Sequence, residues 1–390
     1  MKNETNDNSK NRILWLDGLR GIACILIFVH HFIVAFFPAA YYGNNETSSE
    51  SVFSVLLAES PLGVIVNGDF WACVFCIVSG LVLSLSILNS NKDNISKIML
   101  KRYPRLALPT LAVSLVVYVM LKMGLFFNME ASLITHSKWF ASYYTETVSI
   151  KRVLKSSLYG VWLEGDSTFS TAFWMLTPLF LGSYLTYLIS IMSRNAKQYI
   201  YILYAILIVI LTLKNSLLLC FVLGSMLGYT YYRKNSLKNN YALGLISISI
   251  GIYFGGFPSE ASPLAYYKLL AGKLLETINS SQYYHIVGAF FFIYGILKLR
   301  IVQNIFEKKL FLKLGKISFS VYLLHIPILF SITAKIFLVL WNVTGKYAIS
   351  TLAAFLISSG CLLVVALLFS RYVEGWCTKV TRKIIDAIYY

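Results

Sequence analysis

The stretch Leu16-Asp17-Gly18-Leu19-Arg20-Gly21-Ile22-Ala23-Cys24-Ile25-Leu26-Ile27-Phe28-Val29-His30-His31-Phe32 sets an aspartate, an arginine and two histidines inside an apolar run that extends from Ile13 to Phe36. A run of that length matches the ~20 helical residues needed to cross a ~30 Å hydrocarbon layer. Ionisable groups in such a helix are costly and mark functional positions by default. At ~100° per residue, the eleven steps from Arg20 to His31 return to within ~20° of the same face. Their Cα atoms are then ~16 Å apart along the axis at ~1.5 Å per residue. Asp17, three residues before Arg20, shares that side and can partly neutralise it. His30 is displaced by ~80° from Arg20, which predicts that it faces packing or lipid headgroups. The plainer reading makes Asp17 and Arg20 an interfacial anchor; it leaves a second ionisable residue type on the same face unexplained.

The rest of the chain agrees with a membrane setting. Of its 390 residues 57% are hydrophobic and 13% charged, with a mean hydropathy of +0.68. Soluble domains carry roughly twice that share of charge. The expected fold is an all-α, polytopic membrane helix bundle of about ten transmembrane helices, over 13–36, 61–88, 106–127, 172–192, 199–213, 216–232, 241–257, 284–299, 317–340 and 347–370. Lys214-Asn215 would form the whole turn between the fifth and sixth. Residues 1–12 and 371–390 read as cytoplasmic tails around a transmembrane domain spanning 13–370, and the first apolar run reads as a retained signal anchor in the cell membrane.

The net charge of +17 invites a nucleic-acid reading, but the basic residues fall in short clusters between apolar runs, as in cytoplasmic loops. With the N-terminus inside, the inner segments hold 23 Lys and Arg and the outer loops 8. This is the positive-inside pattern, and no nucleic-acid partner is expected. Loop 128–171 is the long outer segment, where a lid or binding element is expected. Cys73-x-x-Cys76 has redox or metal-half-site spacing, yet it lies in an apolar helix without a second pair and reads as packing, so no metal site is assigned. No disulfide framework is implied.

Two further stretches carry chemistry. In Leu314-Gly315-Lys316-Ile317-Ser318-Phe319-Ser320-Val321-Tyr322-Leu323-Leu324-His325-Ile326-Pro327, Ser318, Tyr322 and His325 follow one another at turn spacing and predict a polar helix face. A hydrogen-bonded structural histidine is an equal reading of His325. Lys101-Arg102-Tyr103-Pro104-Arg105 offers guanidinium groups suited to phosphate oxygens, although positive-inside anchoring predicts the same residues.

Together these stretches resemble the acyltransferase-3 family of membrane O-acyltransferases. The likeness rests on Leu16 to Ala23 with the Arg-x10-His spacing to His31, Phe75-Cys76-Ile77-Val78-Ser79-Gly80, Lys101-Arg102-x-x-Arg105 with Pro109, and Trp174-x-Leu176. The stretch from Leu314 to His325 and Tyr372-Val373-Glu374 complete it. The ordered set covers residues 13 to about 376. The resemblance implies transfer of an acyl group, usually acetyl from cytosolic acetyl-CoA, to a hydroxyl of a glycan, lipid or small molecule. It implies His31 and Arg20 as the essential pair, with Arg102, Arg105 and Lys101 as donor-binding candidates. Asp17, Ser79, Tyr322 and His325 are further candidates. Acetyl-CoA would be a substrate, with no permanently bound cofactor. The bilayer, the donor and the acceptor would be the partners, and the sequence leaves room for a homo-oligomer or a cell-envelope synthesis partner. One departure stands out: Leu179 occupies the place of the family's usual acidic residue after Trp-x-Leu, which directs attention to Glu164 and Asp166 as displaced carboxylates. The rival from another class is a proton-coupled transporter or flippase for a lipid-linked sugar; such folds often show half-repeats, and none is evident in this sequence. A structural or sensory multispan protein leaves the Arg20–His31 stripe without a purpose.

Overall fold

The computed structural model describes residues 13–43, 52–194, 196, 199–234, 239–261, 267 and 280–389. The expectations for the 1–12 tail, for residues 44–51 of the first outer loop and for most of 262–279 lie outside the described residues. No strand occurs among the described residues.

Helices occupy all ten apolar segments. They are α1 (Leu14–Phe36), α2 (Gly68–Leu88), α3 (Lys92–Lys122), α4 (Leu176–Ser193) and α5 (Ile200–Leu213). The rest are α6 (Leu218–Lys234), α7 (Tyr241–Gly255), α8 (Ser280–Lys298), α9 (Lys309–Ile328) and α10 (Tyr347–Phe369). Six helices among the described residues are long and apolar enough to cross a membrane: Leu14–Phe36, Gly68–Leu88, Asn94–Lys122, Thr171–Ser193, Lys309–Thr344 and Tyr347–Tyr389. A seventh is reached if Ser281–Lys298 and Arg300–Phe306, bent by 100° at their junction, count as one span. α5 and α7 are apolar but shorter. The α5–α6 turn takes four residues rather than two: α5 ends at Leu213 and α6 begins at Leu218. Asn215 there adopts the left-handed conformation, with φ 47°.

The crossing of α1 and α9 organises the bundle, and the glycines of the two motifs make it. A Cβ on Gly21 would meet the Gly315 backbone nitrogen at 2.5 Å. A Cβ on Gly315 would meet the Asp17 carbonyl oxygen at 2.2 Å. These distances leave no room for any side chain, so the two backbones lie in direct contact, as small residues permit in membrane bundles. The late Leu-Gly-Lys-Ile-Ser motif is therefore the packing partner of the early Asp-Gly-Leu-Arg-Gly motif. Their helices run on from this crossing and carry His31 and His325 to the same place.

The segment 128–171 is folded. It folds into short helices, Asn128–Thr135, Lys138–Ala141 and Ile150–Lys155, followed by a wide π turn over Ser156–Gly160. Its apolar side chains Phe140, Val153, Val161 and Trp162 are buried, which is why it packs instead of standing in water. Ser137 donates from Oγ to the Val34 carbonyl at 2.8 Å, and fixes one part over the end of α1. Another part lies along α3, where Tyr103 donates its hydroxyl to the Leu158 carbonyl at 2.6 Å. The segment thus touches both the histidine end of α1 and the basic stretch of α3.

Candidate active site

A cavity of about 220 Å³ opens beside His31, between α1, α2, the Lys138–Ala141 turn and the start of the helix leading into α4. His31 is half-buried in its wall. The His31 Nδ1 lies 2.9 Å from the Ile27 carbonyl and 3.3 Å from Nε2 of His325. The His325 Nδ1 lies 2.7 Å from the Tyr322 carbonyl. A carbonyl only accepts, so Tyr322 O assigns the His325 proton to Nδ1 and leaves its Nε2 an acceptor. Two acceptors then face His31 Nδ1, which assigns the His31 proton there and leaves Nε2 with its lone pair. Among the described residues no hydrogen bond occupies that Nε2. Trp139 packs on the ring at 5.4 Å between centroids and His325 at 5.0 Å. His31 is thus held by the Ile27 carbonyl, His325 and Trp139.

Tyr322 also lines the cavity, and its hydroxyl donates to the Ala172 carbonyl, tying α9 to the start of the Thr171–Ser193 helix. Tyr322 lines the cavity and His325 stands behind His31, one turn apart on α9.

His30 is packed, one of the two surroundings expected from helix phase, yet it is not remote from the cavity. It too lines the cavity, with Nδ1 donating to the Val66 carbonyl at 2.7 Å and the ring edge-on to Tyr41 at 4.9 Å. Its ring lies so close to Gly68 that a Cβ there would meet Cδ2 at 2.4 Å. Both histidines reach the cavity because it wraps the end of α1 rather than facing one stripe. Beyond His30 stands Asp69 in the first turn of α2, accepting from Ser259 Oγ at 2.7 Å and from the Tyr41 hydroxyl at 3.3 Å. Asn67 caps α2 by accepting from the Phe70 amide at 3.1 Å, and donates to the Phe257 carbonyl at 3.0 Å. That double tie fixes where Asp69 points.

The arginines gather elsewhere. Arg20 lies with its guanidinium 5.1 Å above the Phe75 ring and does not line the cavity. Arg102 donates from Nε to Ser183 Oγ at 2.9 Å. Arg20 and Arg105 are both within electrostatic reach of Arg102, so α1 and α3 bring three cations together. Arg105 is exposed and Lys101 half-buried. Asp17 is half-buried at the α9 crossing, where its backbone oxygen faces Gly315. Ser79 is buried in α2 without a hydrogen-bond partner among the described residues, and outside the cavity wall.

The two proposed replacement carboxylates do not reach the site. Glu164 is exposed, and Asp166 pairs with Arg152 at 2.9 Å while accepting from the Thr168 amide and hydroxyl. Burial alone would raise the Asp166 carboxyl; the Thr168 bonds and the Arg152 charge outweigh it and hold it below the ordinary value. Leu179 is buried core. The carboxylates at the cavity are Asp69 and Glu260. Asp69 lies inside the expected 61–88 span, so the signal that finds it, an ionisable group within an apolar run, is present in the sequence. Trp139 and Thr171 sit in no motif with spacing of their own.

Comparison with known proteins fits this geometry. A family model described as an acyltransferase domain, that of acyltransferase 3, matches residues 13–371. The chain belongs to the acyltransferase-3 family. That range takes in α1 through α10 and so both the histidine cavity and the arginine cluster. The chain is also similar to Acyltransferase R4 of Phoma sp. (strain ATCC 20986 / MF5453), 24% identical over 152 residues. That likeness covers 37% of this chain and 31% of the relative, so the chain spans about a third of the curated relative it matches. No solved structure matches. As an acyltransferase-3 protein built on long apolar helices, it is a multi-pass membrane protein of an acyltransferase family.

Proposed function

We propose that the protein is a membrane O-acyltransferase that moves an acyl group, acetyl in this reading, from cytosolic acyl-CoA to a hydroxyl of a cell-surface or lipid-linked glycan. The observation that carries it is the fixed tautomer of His31, whose unengaged Nε2 belongs to a cavity-lining ring. A hydroxyl is a poor nucleophile at neutral pH, and a positioned imidazole typically contributes 10²–10⁴-fold. His31 Nε2 takes the hydroxyl proton as the oxygen attacks the thioester carbon. The new C–O bond forms, the C–S bond breaks, and the CoA sulfur leaves with the proton that His31 returns.

The arginine cluster suits the other end of the donor. Arg20, Arg102 and Arg105 supply a concentrated positive charge for CoA phosphates, with Lys101 in the same stretch. Arg20 precedes His31 by eleven residues, or ~16 Å of helix, and the extended pantetheine arm would bridge that interval. The basic residues favour the cytosol by the positive-inside rule, with ten spans and both termini inside. The histidine cavity then faces outward. Its carboxylate Asp69 and its aromatic walls, Trp139 and Trp174, supply hydrogen-bond acceptors and flat apolar faces of the kind a sugar offers partners for.

The test is acyl transfer by purified protein in lipid nanodiscs with isotope-labelled acetyl-CoA, paired with mass spectrometry of surface glycans and lipids with and without the gene. The expected result is a gene-dependent mass increase of one acetyl group on a glycan. Label appearing only on a small molecule would contradict the acceptor, and no transfer to any acceptor class would contradict the activity.

A further inference from the structure

The histidine cavity is chemically uneven. On the side made by α1 and α2 the donors are spent: His30 donates from Nδ1 to the Val66 carbonyl, and the Tyr41 hydroxyl and Ser259 Oγ both donate to Oδ2 of Asp69. What remains on that side accepts. Among the described residues no hydrogen bond reaches Oδ1 of Asp69, which lines the cavity half-buried. His30 is only 8% exposed and lines the same wall. With its proton on Nδ1, its Nε2 has a lone pair, no hydrogen-bond partner among the described residues, and accessible surface. Aromatic rings make much of the remaining wall: Tyr41, Tyr42, Trp139, Tyr143 and Trp174. Among the described residues no Lys or Arg lines it.

Such a wall discriminates between ligands. A neutral sugar hydroxyl brings one donor, whereas an ammonium group brings three N–H donors and no acceptor. The ammonium charge is met by the Asp69 carboxylate in a charge-assisted bond, and aromatic faces attract cations through the ring quadrupole. A carboxylate covered by a neutral ligand loses water and gains no opposite charge in return. Asp69 is also preorganised. Asn67, two residues before it, accepts from the Phe70 amide and donates to the Phe257 carbonyl, so the start of α2 is held before any ligand arrives.

We infer that the acceptor is an amino sugar whose ammonium group is held by Asp69 among the aromatic rings, with a hydroxyl of the same sugar presented to His31. The inference rests on the acyl-transfer reading of the cavity and names the class of its acceptor. On a hexosamine the ammonium and the hydroxyls stand on neighbouring ring carbons, so one residue of a glycan offers both groups. The ammonium takes no part in bond making. The hydroxyl oxygen bonds to the acyl carbon, its proton passes to His31 Nε2, and the C–S bond breaks to release the CoA thiol with that proton. Asp69 sets which acceptor is chosen, and His31 acts on the acceptor once bound.

The test measures transfer from labelled acetyl-CoA in nanodiscs to matched methyl glycosides of glucose and galactose, each in its 2-hydroxy, 2-amino and 2-acetamido form. Label counted is the ester fraction released by mild hydroxylamine. The parent should prefer the 2-amino form over both neutral forms by about tenfold or more in kcat/KM, the worth of one charge-assisted contact. Asp69→Asn, which keeps shape and removes the charge, should bring that ratio close to one, with KM for acetyl-CoA within twofold of the parent. Asp69→Ala is the second charge-free variant should Asn not fold. Neutral forms used as well as the amino form by the parent overturn the inference and leave the acyl-transfer reading standing. So does a charge-free variant that folds and keeps the parent's preference. Label that resists hydroxylamine as an amide also overturns it, because the amine would then be the nucleophile. A parent that transfers nothing to any acceptor overturns the acyl-transfer reading instead, and this inference falls with it.

Discussion

The histidine cavity and the arginine cluster occupy the same first helix, yet they are built by opposite means. At the cavity, neutral rings are locked by backbone carbonyls: Ile27 and Tyr322 fix His31 and His325, and Val66 fixes His30. Proton positions there are set before any substrate arrives, which is what proton transfer needs. At the cluster, three guanidinium groups from α1 and α3 share one neighbourhood. Like charges held together oppose folding unless something offsets them; Glu374 lies within electrostatic reach of Arg105, and Arg20 sits over the Phe75 ring. In the proposed reaction one region moves a proton and the other holds the charge of the donor. The α1–α9 crossing aligns His31 with His325 in the first of them.

That alignment gives the largest expected effect. Gly315→Ala places a Cβ 2.2 Å from the Asp17 carbonyl oxygen, and since that oxygen belongs to the backbone and the Cβ is fixed to its own, the helices must separate. Overpacking of this kind costs roughly 1–3 kcal/mol. Melting temperature should fall and transfer should decline at every donor concentration, because His31 and His325 part as well. Gly360→Ala in α10 is the control: its Cβ meets nothing within 4 Å, and the change should be neutral or stabilising by about 0.5–1 kcal/mol. Equal melting temperatures for the two variants would break the claim that this crossing aligns the two histidines.

The smallest effect belongs to a carboxylate outside both. Asp166 has a folded pKa below its unfolded value, so its contribution to stability is present above the unfolded pKa, near 3.9, and is lost as pH falls through the folded pKa. Arg152 is partly in water, which keeps the contribution under about 1 kcal/mol. Asp166→Asn should lower the melting temperature slightly at pH 7, and the difference should vanish in acid below the ordinary carboxylate range. Transfer kinetics should stay at the parent values. A large change in kcat would return Asp166 to the active site and redraw the boundary between loop and cavity.

The residues that make α1 were legible because their information is local. Apolar length gave the helix, and the late motif supplied Tyr322 and His325 at turn spacing; the stripe read for Arg20 and His31 does not amount to a shared cavity, since only His31 lines it. The glycines were visible as a pattern, but their purpose needs the partner helix. Trp139 and Thr171 were not legible: they enter the cavity through tertiary placement, by the folded 128–171 segment and by the Tyr322–Ala172 bond. Helix phase did not show that His30 reaches the cavity, since a periodic stripe assumes a flat partner while the cavity wraps the helix end. The 128–171 segment read as a loop because its helices are too short to show a strong period.

The most direct test of the division between the regions is a kinetic comparison of His31→Ala with Arg102→Ala, across acetyl-CoA concentrations at saturating acceptor and matched folded protein. His31→Ala should lose 10²–10⁴-fold in kcat with KM for acetyl-CoA near the parent value. Arg102→Ala should keep most of kcat and raise that KM about tenfold, the loss of a charge-assisted contact worth ~1.5–3 kcal/mol. The reverse pattern, or a kcat loss shared equally by both, would contradict the assignment of proton transfer to the histidine cavity and donor binding to the arginine cluster.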